Sequence, residues 1–192
     1  MITRRKNWIE RKWSQIQEAI KNSNTGENFM IFGEEYKVED ANVEKPYIEH
    51  TQKKITLNRV NPKHREQLTQ QLKKILKTRV NYLVEEYAAR MGVKPEKIII
   101  RRQSTKWGSC STNGSISLNL RLVCLPEETL RYVLYHEMSH LKIRKHDKLF
   151  WNMISQEYPN YVKKENELRQ EWFRTEKLFQ NLWKNSTTVT TA

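Results

Sequence analysis

His136-Glu137-Met138-Ser139-His140 constrains this chain more than any other stretch, because the pattern H-E-x-x-H has chemical meaning only on a helix. At about 100° per residue, the two imidazoles lie roughly 40° apart around the axis and one turn apart along it, so both can reach one ion. Glu137 stands beside them, placed to take a proton from water that the ion acidifies. The flanking residues support a helix independently. Pro126 suits a first helical position, and Glu127 and Glu128 complement the helix dipole. Leu130, Leu134, Met138 and Leu141 recur at spacings of three and four, which predicts a buried stripe roughly opposite the histidines. An ordinary amphipathic helix with two unrelated histidines would give the same spacing, so a third donor matters.

His146 is the third candidate. A catalytic zinc takes three protein ligands and keeps a fourth position open. Five residues separate His140 from His146, enough for the chain to leave the helix and turn back, with Asp147 as N-cap of a following helix. Spacing alone leaves open whether His146 binds metal or is a solvated residue of the basic loop Arg144-Lys145-His146-Asp147-Lys148.

The rest of the chain reads as alternating helices and short strands. Trp8, Ile9, Trp13, Ile16 and Ile20 fit a first amphipathic helix, ended by Asn22-Ser23-Asn24-Thr25-Gly26. Phe29 to Val38, broken by Gly33, and Tyr47 to Leu57 read as short strands. Asn61-Pro62 begins a long helix carrying Leu68, Leu72, Ile75, Leu76, Leu83 and Tyr87, and Gly92 ends it. Lys97 to Arg102 is rich in β-formers, and Ser115 to Val123 alternates apolar with polar residues, which predicts one half-buried strand. Gly108 and Asn113-Gly114 are expected turns. Beyond the metal helix, Leu149, Phe150, Met153 and Ile154 predict a helix ending near Tyr158-Pro159, then a charged helix from Asn166 to Trp183 and a frayed tail. There is no internal repeat. This order predicts an α+β fold in which a small sheet backs the metal helix. The expected division is an N-terminal helix and strand extension over 1–60, the metal-binding domain over 61–184 and a disordered tail over 185–192.

Composition narrows the compartment and the partners. With 192 residues the chain can bury a sizeable core. Only Cys110 and Cys124 are present, without C-x-x-C spacing, so the expectation is two reduced thiols rather than a disulfide scaffold. No stretch resembles a signal peptide or membrane span, and a cytoplasmic protein is expected. A formal charge of +13 favours anionic partners, nucleotides or nucleic acid among them, although much of it is interleaved with glutamate along helices.

Several motifs occur in one order: Lys106-Trp107-Gly108-Ser109-Cys110-Ser111, Ile116-Ser117-Leu118-Asn119 with Leu122, His136-Glu137-x-x-His140, His146 with Phe150-Trp151, and Tyr158-Pro159 with Tyr161. Together they resemble the YgjP-like metal-dependent hydrolases, a group of zincins related to the SprT-like and other small zinc metallopeptidases. The match covers about the last two thirds of the chain. The resemblance implies a zincin fold, Zn2+ as the metal, His146 as third ligand and Glu137 as catalytic base. Family members usually begin with additional strands ahead of a segment like Trp8-Ile9-Glu10-Arg11-Lys12, and this chain begins almost at that segment.

Three more residues are candidates for substrate contact. Trp107, next to Gly108, can wall a cleft or simply pack in the core. Asn119 and Arg121 share the polar face of the predicted strand, and if that face lines the cleft they could hold an anionic group or an oxyanion. Peptide hydrolysis is the leading expectation, since an exposed strand edge can align an extended peptide. Hydrolysis of a phosphoanhydride is the alternative on the same site, motivated by Arg101, Arg102, Lys106 and Arg121; a nucleic-acid-associated module is a third. The oligomeric state is not legible.

Overall fold

The computed structural model describes residues 28–184; the predicted first helix and the tail lie outside them. The chain opens with a hairpin of β1 (Asn28–Ile31) and β2 (Glu34–Asp40), paired antiparallel. Its two-residue turn, Phe32-Gly33, has positive φ at both positions (49° and 82°), the geometry that matches strand twist. β3 (Tyr47–Glu49) pairs antiparallel with β4 (Lys54–Leu57), and β4 lies parallel to β2, giving a four-stranded sheet in the order β1-β2-β4-β3.

Helix α1 (Pro62–Met91) runs for 30 residues. Asn61 caps it by accepting from the Lys63 amide at 3.0 Å, and Gly92, at φ 67°, takes the left-handed conformation that ends it. Leu68, Leu72, Leu76, Val80, Leu83 and Tyr87 form its buried stripe.

β5 (Lys97–Arg101), β6 (Gly108–Cys110) and β7 (Ser115–Asn119) form a second sheet in the order β5-β7-β6, with β7 parallel to β5 and antiparallel to β6. Two expectations are corrected here. Gly108 is the first residue of a strand, not a turn. The predicted strand over Ser115 to Val123 stops at Asn119, whose side chain accepts from the Arg121 amide at 3.2 Å and turns the chain into a 3-10 helix (Leu120–Cys124). β7 is moreover buried on both faces from Ile116 onward, since it is the central strand, so its polar residues look inward like its apolar ones.

Helix α2 (Glu127–Ser139) carries the H-E-x-x-H sequence and packs against α1, β6, β7, α3 (Lys148–Glu157) and α4 (Tyr161–Leu182). Leu130, Leu134 and Met138 are fully buried. Tyr132, Val133, Tyr135 and Glu137 are buried too, so α2 is wrapped nearly all round rather than amphipathic. Leu141 lies beyond its end and is half-buried. Asp147 caps α3, accepting from the Leu149 and Phe150 amides at 3.0 and 3.1 Å. α4 begins at Tyr161, five residues ahead of the expected Asn166, because its first turns are so charged that the apolar period starts late.

One core joins these elements. Phe29 of β1 meets Phe179 of α4 edge-on at 5.2 Å, and the Phe32 amide donates to the Val123 carbonyl at 2.7 Å. The four-stranded sheet therefore shares its core with residues beyond 60. Among the described residues, no helix is long and apolar enough to cross a membrane.

Candidate metal centre

His136 occupies the last turn of α2, His140 is its C-cap residue, and His146 stands one residue before the cap of α3. The connecting loop is firmly built. Amides of Lys142 and Ile143 donate back to the Ser139 carbonyl, and the Arg144 guanidinium donates to the Ser111 and Thr112 carbonyls at 2.7 and 2.8 Å, tying the loop to the β6–β7 turn. The chain thus reverses within a few residues and returns His146 to α2. The Nε2 atom of His146 lies 2.9 Å from that of His136 and 3.1 Å from that of His140. Among the described residues this is the one cluster of potential metal donors, with all its ligand atoms within 4.8 Å of one another.

Aromatic rings fix the three imidazoles. Phe150 is fully buried; it stacks on His140 at 4.6 Å and meets His136 and His146 edge-on at 5.0 and 4.7 Å. Trp151 stacks on the outer face of His146 at 5.5 Å, and Tyr161 stacks in turn on Trp151 at 4.9 Å. The His140 Nδ1–H donates to the Ile143 carbonyl at 3.1 Å, which leaves its Nε2 unprotonated and facing the other two histidines. Burial, with His140 and His146 alongside, pushes the His136 imidazole down to about 3, and burial likewise lowers His140. Neutral imidazoles converging through their ring nitrogens are a donor set that fits a divalent transition metal.

Glu137 points the other way around the helix, toward β6. It is 7% exposed, and burial raises its carboxyl to about 7, with Lys106 opposing and Glu165 adding to the shift. Its carboxylate lies directly over Gly108. A Cβ at that position would stand 2.7 Å from both Cγ and Oε1 of Glu137, so the close approach requires glycine. β6 is the edge strand of its sheet. Glu137 therefore lies over β6, which among the described residues is an edge strand.

Of the three expected substrate contacts, two are corrected, because Asn119 and Arg121 are buried. Arg121 is 2% exposed and lies inside the protein, its guanidinium 3.6 Å from the Trp172 ring centroid and 5.4 Å from that of Trp107. It donates to the Trp172 carbonyl and to Glu176, both at 3.1 Å. Asn119 is fully buried and donates to the Gln103 and Lys106 carbonyls at 2.9 and 2.8 Å. Trp107 donates through Nε1 to the Leu168 carbonyl at 3.1 Å and meets Trp172 edge-on at 4.9 Å. Asn119 and Arg121 are thus enclosed and turned away from substrate, whereas the Trp107 ring is only half-buried. They form a bracket that fixes the segment leading into β6 and so, through Gly108, the strand beneath Glu137.

Sequence reasoning missed Phe150 and Arg144 as builders of the site. Phe150 read as an apolar helix residue within a motif beside His146, and Arg144 as part of a basic loop; only the fold brings the first against three imidazoles and the second onto the β6–β7 turn.

No curated protein matches the chain. Among the solved structures similar to it are the metallopeptidase zymogen of Pyrococcus abyssi abylysin, at 26% identity over 48% of this chain and 93% of that one, with a TM-score of 0.44; and the metallopeptidase zymogen of Methanocaldococcus jannaschii jannalysin, at 22% identity over 48% and 88%, with a TM-score of 0.43. The YgjP-like metallopeptidase domain matches residues 1–171, nearly the whole of what is described and much beyond the H-E-x-x-H helix. With its α+β, zincin-like fold and its converging imidazoles, this chain belongs to the YgjP-like metallopeptidases, a family of metal-dependent hydrolases.

Proposed function

We propose that this protein is a zinc-dependent peptidase in which His136, His140 and His146 hold the ion and Glu137 is the general base. The observation that carries the reading is the convergence of three imidazoles on one point next to a buried carboxyl group in sequence. When bound, the ion supplies a Lewis acid that polarises the scissile carbonyl and acidifies the attacking water. Glu137, with a carboxyl that titrates near neutral pH, takes a proton from that water and returns it to the leaving amine. Trp151 and Phe150 keep the exposed His146 ring oriented.

Peptide is favoured over phosphoanhydride by where the basic residues lie. Arg121 is enclosed by tryptophans, Arg102 pairs with Glu176 at 2.8 Å, and Arg101 is on β5, across β7 from the cleft. Of the four cations that motivated a nucleotide substrate, only Lys106 acts on Glu137. The edge of β6, by contrast, offers backbone donors and acceptors to an extended chain. The zinc-loaded protein should cleave an unfolded protein substrate and leave nucleoside triphosphates intact. Glu137→Gln should keep its zinc and lose roughly 10²- to 10⁴-fold in turnover. Triphosphate hydrolysis that disappears in Glu137→Gln would overturn the peptide assignment, and loss of zinc from that variant would overturn the role of Glu137 as base.

A further inference from the structure

His140 and His136 differ in one respect. The Nδ1 of His140 has the Ile143 carbonyl as its partner, whereas the Nδ1 of His136 is buried with no hydrogen-bond partner among the described residues. A buried ring N–H without an acceptor is uncommon, and in metal-binding histidines the second nitrogen almost always donates to a carboxylate or carbonyl. A carboxylate stands close by: the Oε1 of Glu165 on α4 lies 4.0 Å from His136 Nδ1. That is too long for a hydrogen bond, but a small rotation of the imidazole closes it.

Glu165 is itself held in place. Tyr132 donates its hydroxyl to the same Oε1 at 2.6 Å. Tyr132 precedes His136 by four residues, so the two side chains lie on one face of α2 and their rings meet edge-on at 6.2 Å. Burial and the hydrogen bond to Glu165 both raise the Tyr132 phenol, which keeps it a neutral donor. The carboxylate oxygen accepts from Tyr132 and retains a lone pair for the imidazole. Glu165 stands on the Nδ1 side of the ring, away from the Nε2 cluster, and is not one of the converging donors.

We propose that Glu165, steadied by Tyr132, is the positioning residue for His136: it accepts the Nδ1–H, fixes the tautomer that presents the Nε2 lone pair to the ion, and raises the basicity of that nitrogen. The proposal rests on the metal-site reading above. It extends the site to a third helix, for His136 and Tyr132 come from α2, His146 precedes α3, and Glu165 comes from α4.

Zinc affinity, measured by competition with a chromogenic chelator, tests it without reference to turnover. Glu165→Ala should weaken zinc binding by roughly 10- to 100-fold, and Glu165→Gln, which keeps a neutral acceptor, should recover part of the loss. Because the Glu165 side chain is 32% exposed, the metal-free melting temperature should change little in either variant, whereas a merely structural residue would lower it. Tyr132→Phe should weaken zinc binding less than Glu165→Ala does. In a His136→Ala background, Glu165→Ala should cost no further affinity. Affinity within twofold of the parent in Glu165→Ala, or a full additional loss in the double variant, would overturn the proposal. Were His136→Ala itself to bind zinc normally, the metal-site reading would fail first, and the two failures are thereby distinguishable.

Discussion

Gly108 shows how a single atom can govern the chemistry. The atoms that a Cβ would strike are the Cγ and the carboxylate end of Glu137. A flexible side chain can yield there without unfolding the protein, but it yields by moving the proposed general base. Gly108→Ala should therefore keep its fold and its zinc affinity while turnover falls by about 100-fold, the usual consequence of a misplacement near one ångström. Thermal melting, chelator competition and peptidase assays check the three parts separately. Unchanged turnover would mean that Glu137 tolerates displacement and is not the base. The H-E-x-x-H residues were legible in the sequence because helical spacing is a local rule. The function of Gly108 was not, since its partner is 29 positions away by the numbers of the two residues and only the β6–α2 packing brings them together.

At the scale of elements, the third histidine depends on how α3 begins. Asp147 accepts from two amides at the start of that helix, and His146 is the residue before it. Removing the cap should cost about 1 kcal/mol of stability. It should also loosen His146, so Asp147→Ala is expected to melt earlier and to bind zinc several-fold more weakly. Asp147→Asn, which keeps a capping oxygen, should restore both and retain activity; an inactive Asp147→Asn with normal zinc binding would instead mark Asp147 as a proton acceptor. Most element boundaries follow from local signals. Asn61 and Gly92 bracket α1, and Asp147 starts α3, because caps are read within a turn of the helix. The errors came where tertiary environment overrides local pattern. The alternation from Ser115 to Val123 looks the same whether its polar face meets water or a helix, and the actual neighbour is α4, with Trp172 and Glu176 waiting for Arg121. That one misjudged face accounts for the substrate roles wrongly expected of Asn119 and Arg121.

At the scale of the whole molecule, the three-stranded sheet and the other three described α-helices pack against α2. The charge of +13 reaches the site through Lys106, which acts on Glu137, and Arg144, which acts on His140. Many of the cations are spent on the fold: Arg79 and Arg131 both pair with Glu127, Arg131 also with Glu86, and Arg90 with Glu157. What distinguishes the molecule is the meeting of three imidazoles, a buried carboxyl group and an edge strand. X-ray absorption at the zinc edge of the loaded protein tests this most directly. The account predicts one zinc per chain with three imidazole nitrogens at about 2.0 to 2.1 Å, falling to two in His146→Ala. A sulfur neighbour at about 2.3 Å, which would implicate Cys110, or an unchanged spectrum in His146→Ala, would contradict it.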